Sequence, residues 1–335
     1  MYETDKHGLI LTVKRNTNNE QKKLIMPRQA IQTSDYDFTV AQTPLFTLQG
    51  EKNKKSGYLA NVRQDTGEVL GICTDRYALV QNSDLIDRAE AAFERKGLTD
   101  FEREVYVTDN GSKMRVNYDF KGHDIEIPEV GDTMGFRLTL QNSFDRSLRV
   151  SFALGMLRLV CTNGMQTLEK EFDMLKKHSA QLDLDKLLTG EAIDSALNRF
   201  KDSGDVFGRL AVAKITQDEG KAALANLLKK NVFSEKVREG IAHRFDNPTY
   251  EEDGKAGDER NLYQLYNAVT QHLTADNLTD AAGNAVGRMV DTRFEYANRI
   301  SSNVLKSFDR AATNKNNLAK LVAMPKLDEQ VIAQN

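Results

Sequence analysis

Phe136-Arg137-Leu138-Thr139-Leu140 and, beyond a turn at residues 142–146, Leu148-Arg149-Val150-Ser151-Phe152-Ala153-Leu154 decide the fold class. Apolar and polar side chains alternate with a period of two, the pattern of a strand with one face buried and the other polar. The short connection makes the two strands antiparallel neighbours. Upstream, Asp109-Asn110-Gly111 joins strands at 102–107 and 113–120, and Gln64-Asp65-Thr66-Gly67 joins strands at 58–62 and 69–73. Asn and Asp followed by Gly supply the backbone conformations that such turns require. A third short strand is predicted at 77–80, and one at 157–161 after Gly155. Residues 165–177 have helical character.

Between these hairpins Asn82 or Ser83 is predicted to cap a helix, with Asp84 in its first turn and Gly97 at its end. Its apolar face is Leu85, Ile86, Ala89, Ala92 and Phe93. Beyond residue 180 the spacing turns helical at 191–200, 217–230, 234–245, 262–273 and 285–308. An acidic loop at 246–260 divides that half. The expected fold class is α+β: an antiparallel β-rich core with one or two packed helices, followed by a helical C-terminal region. The expected organisation is a polar N-terminal arm (1–55, with a short strand at 9–13), an α+β core domain (56–180), a helical region (181–325) and a tail (326–335).

A chain of 335 residues with 40% hydrophobic and 28% charged residues is that of a soluble globular protein. It has no apolar run of membrane-spanning length, and its first residues do not resemble a signal peptide, so a cytoplasmic location is expected. Cys73 and Cys161 belong to no Cys-x-x-Cys pair and are expected to be buried thiols. His7, His123, His178, His243 and His272 show no zinc-ligand spacing. Gly204-Asp205-Val206-Phe207-Gly208 and Gly283-Asn284-Ala285-Val286-Gly287 lack the strand, Lys and Ser/Thr of a phosphate loop. No catalytic residue, cofactor or metal is therefore expected. A metal-dependent nuclease is the enzymatic rival, and it would need carboxylates assembled from distant segments.

The net charge of −3 exerts no overall pull on nucleic acid, so binding requires segregated charge. Residues 137–177 carry Arg137, Arg146, Arg149, Arg158, Lys170, Lys176 and Lys177 against Asp145, Glu169, Glu171 and Asp173. Arg137 and Arg149 occupy polar positions of alternating strands, where they are expected to share a wet cationic face with Arg158. Arg76, Arg146 and Lys170 support that face, and Tyr77 is the expected stacking platform for a base. A second cationic tract comprises Arg299, Lys306, Arg310, Lys315, Lys320 and Lys326, opposed by Asp309.

Three stretches in order complete the reading. They are Gly71-Ile72-Cys73-Thr74-Asp75-Arg76-Tyr77-Ala78-Leu79-Val80-Gln81-Asn82, then Arg158-Leu159-Val160-Cys161-Thr162-Asn163-Gly164, then Leu262-Tyr263-Gln264-Leu265-Tyr266-Asn267-Ala268-Val269-Thr270. Together they resemble the phage/plasmid-like protein family, a domain of unknown function found in phages, prophages and plasmids, over roughly residues 56–310. The order of elements is also remotely similar to the core of ring-forming single-strand annealing recombinases, a fold-level analogy that transfers no contact residue. These resemblances imply a non-catalytic protein of phage or mobile-element DNA metabolism, oligomeric, with single-stranded DNA as partner. The alternative is an anti-defence or host-takeover factor that docks a host protein through an exposed apolar patch on the helical half, without DNA binding.

Overall fold

The structure, a computed structural model, describes residues 30–32, 35–49, 52–108, 110–127, 129–158, 164–165, 174–179, 182–250, 253–254, 259–274 and 292–324. The chain opens with strands β1 (Ala30–Gln32), β2 (Val40–Gln49), β3 (Lys52–Arg63) and β4 (Val69–Cys73), then helix α1 (Asn82–Arg95). Strands β5 (Phe101–Thr108), β6 (Lys113–Ile127), β7 (Asp132–Ser143), β8 (Val150–Arg158), β9 (Gly164–Met165) and β10 (Met174–Lys176) follow. The second half holds α2 (Gly190–Val212), β11 (Lys214–Ile215), α3 (Gln217–Lys229), α4 (Glu235–Asp246), β12 (Arg260–Asn261), α5 (Leu262–Thr274), α6 (Thr292–Ala312) and α7 (Lys315–Val322). The fold is α+β: an antiparallel sheet ordered β1-β5-β6-β7-β8-β10, with β9 beside β8, a small β2-β3-β4 sheet, and a helical C-terminal region.

Register explains the core. Phe120, Phe136 and Met156 stand in one row across β6, β7 and β8, and Val116, Leu140 and Phe152 in another. They share one hydrophobic core with Leu85, Ile86, Ala89 and Phe93 of α1 and Ile193, Ala196 and Phe200 of α2. Phe93 is the hub, with ring contacts to Phe101, Tyr118, Phe120 and Phe152. The opposite face of the sheet is largely polar and, apart from half-buried Asp119, also buried: Asp119–Arg137–Gly155, Asn117–Thr139–Ala153 and Arg115–Gln141–Ser151 form its rows.

The small sheet is seated on the β7–β8 turn. Asn61 donates to the Phe144 carbonyl at 2.6 Å, Tyr77 OH donates to the Ser143 carbonyl at 2.5 Å, and Phe38, Val40, Leu70 and Phe144 close a small apolar cluster. The Gln81 side chain pairs with Val40 as a strand would, accepting from its N–H at 3.0 Å and donating to its carbonyl at 2.8 Å. Gly71 lets the turn approach, since a Cβ there would stand 2.5 Å from Phe144 O and 2.6 Å from Asp145 Cα.

Several expectations are corrected. The polar arm contains β2 and the start of β3, so the boundary at 55/56 falls inside a strand. Residues 77–80 are irregular, because Gln42 and Tyr77 use side-chain and backbone groups to tie this segment to the small sheet. Gln81 is the N-cap of α1, while Asn82 is turned inward to accept from Asn142 at 2.9 Å. In the segment read as helical, Met165 (with the preceding Gly164) and residues 174–176 pair with β8 as strands. Gly204 and Gly208 lie within α2, which continues far beyond residue 200. The expected strand at 9–13, residues 159–161 and residues 285–291 lie outside the described residues. Among the described residues no helix is long and apolar enough to cross a membrane.

Two outcomes follow from this packing. Gly71→Ala is expected to cost about 1–3 kcal/mol, because its methyl group meets backbone that cannot rotate away; an unchanged urea midpoint would refute the seating described. In the helical half, burial, aided by the nearby Arg244, pushes the His272 imidazole down to about 4. The unfolded chain takes up this proton near pH 6.5, so the stability linked to the neutral ring is present above that pH and is lost as pH falls towards 4. His272→Gln is expected to flatten the pH dependence of urea unfolding in that window, and an unaltered slope would contradict it.

Candidate nucleic-acid interface

The arginines expected to share a wet face do not do so. Arg137 projects from the buried polar face of the main sheet, and its stem lies across Gly155, whose Cβ would come within 3.1 Å of Arg137 Cγ. The guanidinium donates through Nε and Nη2 to the two oxygens of Asp119, its register partner, and lies 3.8 Å from Glu104. That bidentate geometry neutralises it in place.

Arg158, the last residue of β8, is deeper still, with 3% of its side chain exposed. Its Nε donates to Asp132 Oδ2, and its Nη1 donates to Asp253 Oδ2 at 2.9 Å. Tyr263 OH donates to the same Asp132 oxygen at 2.8 Å, and Asn267 donates to Asp253 Oδ1 at 3.0 Å. Burial works against this charge, but the Asp253 and Asp132 carboxylates more than offset it and hold Arg158 above the ordinary arginine range. The network fastens β7 and β8 to α5 and to the chain at residue 253. Arg158, Tyr263 and Asn267 all come from the stretches that carried the family resemblance, and here they hold structure together.

Tyr77 is likewise committed inward. It is buried, its hydroxyl is spent on Ser143, and its ring stacks on His178 with centroids 4.6 Å apart. His178 Nδ1 stands 2.9 Å from the Ala78 carbonyl, and burial lowers its pKa. Neither ring face of Tyr77 is set out for a base, so this expectation is corrected. Lys170 and Cys161 lie outside the described residues. Cys73 is fully buried, and burial pushes its thiol pKa up, which suits a structural rather than a reactive cysteine.

Arg76, Arg146 and Arg149 remain exposed, with no carboxylate partner among the described residues. Arg146 has a left-handed φ of 67° and reaches the Ile72 carbonyl at 3.5 Å, which places it over β4. What the sequence reading missed lies on the same small sheet. Of the six large apolar side chains exposed among the described residues, four belong to the small sheet: Phe46, Leu48, Tyr58 and Ile72. Tyr58 is 50% exposed and stands two residues along β3 from Ala60, the register partner of Ile72. Phe46 stands opposite Lys55. Lys54 and Lys55 are exposed and lack an acidic partner among the described residues. Nearby carboxylates are partly spent: Asp65 holds Arg63 at 2.8 Å and Asp145 faces Lys113 at 3.5 Å, while Glu68 and Asp75 stay exposed.

Elsewhere, a cleft of about 490 Å³ between residues 78–80 and 182–186 carries charges that cancel in pairs, Arg88 with Asp185 at 2.5 Å and Lys186 with Asp183 at 3.2 Å. Among the described residues no three His, Cys, Asp or Glu side chains group as a metal site.

Residues 69–321 match the family described as Domain of unknown function (DUF932). The chain belongs to this family. No curated protein and no solved structure matches it. The match begins at the first residue of β4, so the β2–β3 hairpin precedes the family domain, whereas Arg76, Arg146, Arg149 and the Arg158 network lie within it.

Arg158→Gln leaves two buried carboxylates without their cation, and a loss of about 3–5 kcal/mol is expected. Denaturant titration checks this, and a loss below about 1 kcal/mol would show that the network contributes little.

Proposed function

We propose that the protein binds single-stranded nucleic acid, without chemistry, on the small sheet and the β7–β8 turn that seats it. The observation that carries this reading is the company of exposed Lys54, Lys55, Arg76, Arg146 and Arg149 with the exposed rings of Phe46 and Tyr58. Cations replace the counterions of a phosphate backbone, and their release drives association. Aromatic faces accept bases of any sequence, each stack contributing about 1–3 kcal/mol. The stretch of β3 from Lys55 to Ala60 is roughly 16 Å long at the usual strand rise, room for a few nucleotides of an extended strand. Copies bound side by side on one strand would add avidity, in keeping with an oligomeric role in phage or mobile-element DNA metabolism such as strand annealing.

The exposed apolar side chains also favour a second reading, in which the same sheet docks a protein partner and nucleic acid plays no part. The main-sheet arginines take no role in either.

Fluorescence anisotropy with a labelled oligothymidine separates the two. Five phosphate contacts predict that log affinity falls with log salt at a slope of roughly −3.5. Lys54→Glu with Lys55→Glu and Tyr58→Ala is expected to weaken binding by about 100-fold or more. Absence of wild-type binding at low salt would reject nucleic acid and leave the protein-docking reading; full binding by the triple variant would move the site elsewhere.

A further inference from the structure

We infer that the helical end carries a second phosphate-binding surface, so that one chain holds two nucleic-acid strands at once. The two-strand part rests on the small sheet taking the first strand. The surface is built from α3, α6 and α7. Lys306 and Arg310 are exposed one turn apart on α6, about 6 Å along its axis. Lys315 and Lys320 are exposed on α7, and Lys229 and Lys230 at the end of α3. Two side-chain amides lock these elements together. Asn317 donates to the Arg310 carbonyl at 3.2 Å, folding α7 back on α6, and Asn226 donates to the Leu321 and Ala323 carbonyls at 2.8 Å each, fastening α7 to α3. Six cations are thus carried on one rigid support.

Among the described residues none of the six pairs with a carboxylate. Asp309, the acid within α6 nearest these cations in sequence, is turned to Arg209 at 2.7 Å, and Glu235 of α4 is held by Arg238. Helix dipoles account for some of the cations, because Lys229, Arg310 and Lys320 sit in last turns, where a positive charge stabilises the helix. They do not account for Lys306 in mid-helix. Lys315 is the first residue of α7, where the dipole opposes a cation, and that first turn holds no acid. The chain therefore accepts an electrostatic penalty to place positive charge here. An extended polyanion fits such a surface, since the cations are spread over three helices and, among the described residues, the only large apolar side chains strongly exposed in the helical half are Val212 and Met324.

The test mixes limiting protein with donor- and acceptor-labelled oligothymidines, which cannot pair with each other, and reads energy transfer. Wild type is expected to bring the two together. Lys306→Glu, Arg310→Glu, Lys315→Glu and Lys320→Glu combined, with folding checked by circular dichroism, are expected to abolish transfer while affinity for a single oligonucleotide falls by less than about threefold. The Lys54→Glu, Lys55→Glu variant should also lose transfer, with a much larger fall in affinity. Transfer that persists in the helix variant, or wild type that binds one oligonucleotide and never shows transfer, overturns the second surface and leaves the first proposal standing. Binding unchanged in the hairpin variant but lost in the helix variant overturns the small-sheet reading and leaves the helical surface as the binding site. If no variant binds, both are wrong. If only phosphatidylserine vesicles bind, and the helix variant releases them, the surface is a membrane contact and the inference is also wrong.

Discussion

The Arg158 guanidinium sits between two carboxylates from different parts of the chain, Asp132 at the start of β7 and Asp253 before α5. A buried cation is tolerable only beside opposite charge, and Tyr263 and Asn267 hold the same two carboxylates in place by donating to them. The arrangement joins the end of the sheet to the helical half, because each partner is supplied by a separate element. It also removes from solvent an arginine that lies in extended chain and would otherwise be a natural phosphate contact.

Arg137 obeys the same rule on the other side of the sheet, where Asp119 faces it across one strand and Gly155 leaves space for its stem. Both arginines are thereby neutralised in place. Among the described residues, exposed cations without a carboxylate partner include those of the small sheet with its supporting turn and those of the α3–α6–α7 end. A net charge of −3 is compatible with local concentrations of exposed cations.

The family match gives these regions different standing. The main sheet, α1, the Arg158 network and most of the helical region lie within it, as does β4. The β2–β3 hairpin lies before it and carries Phe46, Leu48, Lys54, Lys55 and Tyr58, while β4 pairs with the far end of β3 at Leu59–Val62. The stretches that carried the resemblance are accounted for by burial: Gly71 and Tyr77 seat the small sheet, and Arg158, Tyr263 and Asn267 tie the two halves.

What the sequence alone determined was whatever depends on neighbours a few residues away. The alternation at 136–140 and 148–154 specified β7 and β8, and Leu85, Ile86, Ala89, Ala92 and Phe93 specified the buried face of α1, because strand and helix periods are local properties. The hairpin at 40–63 escaped notice because Pro44 and a run of lysines and asparagines mask its period. Residues 174–176 read as helix because short apolar spacing fits both periods until a strand such as β8 supplies its hydrogen bonds. Tertiary structure alone decided which polar positions are wet. Alternation assigns Arg137 to a face, but only register brings Asp119 opposite it, and only the fold brings Asp253 to Arg158 from 95 residues away. Whether a cation is free for a ligand depends on partners distant in sequence, and no local pattern encodes that distance.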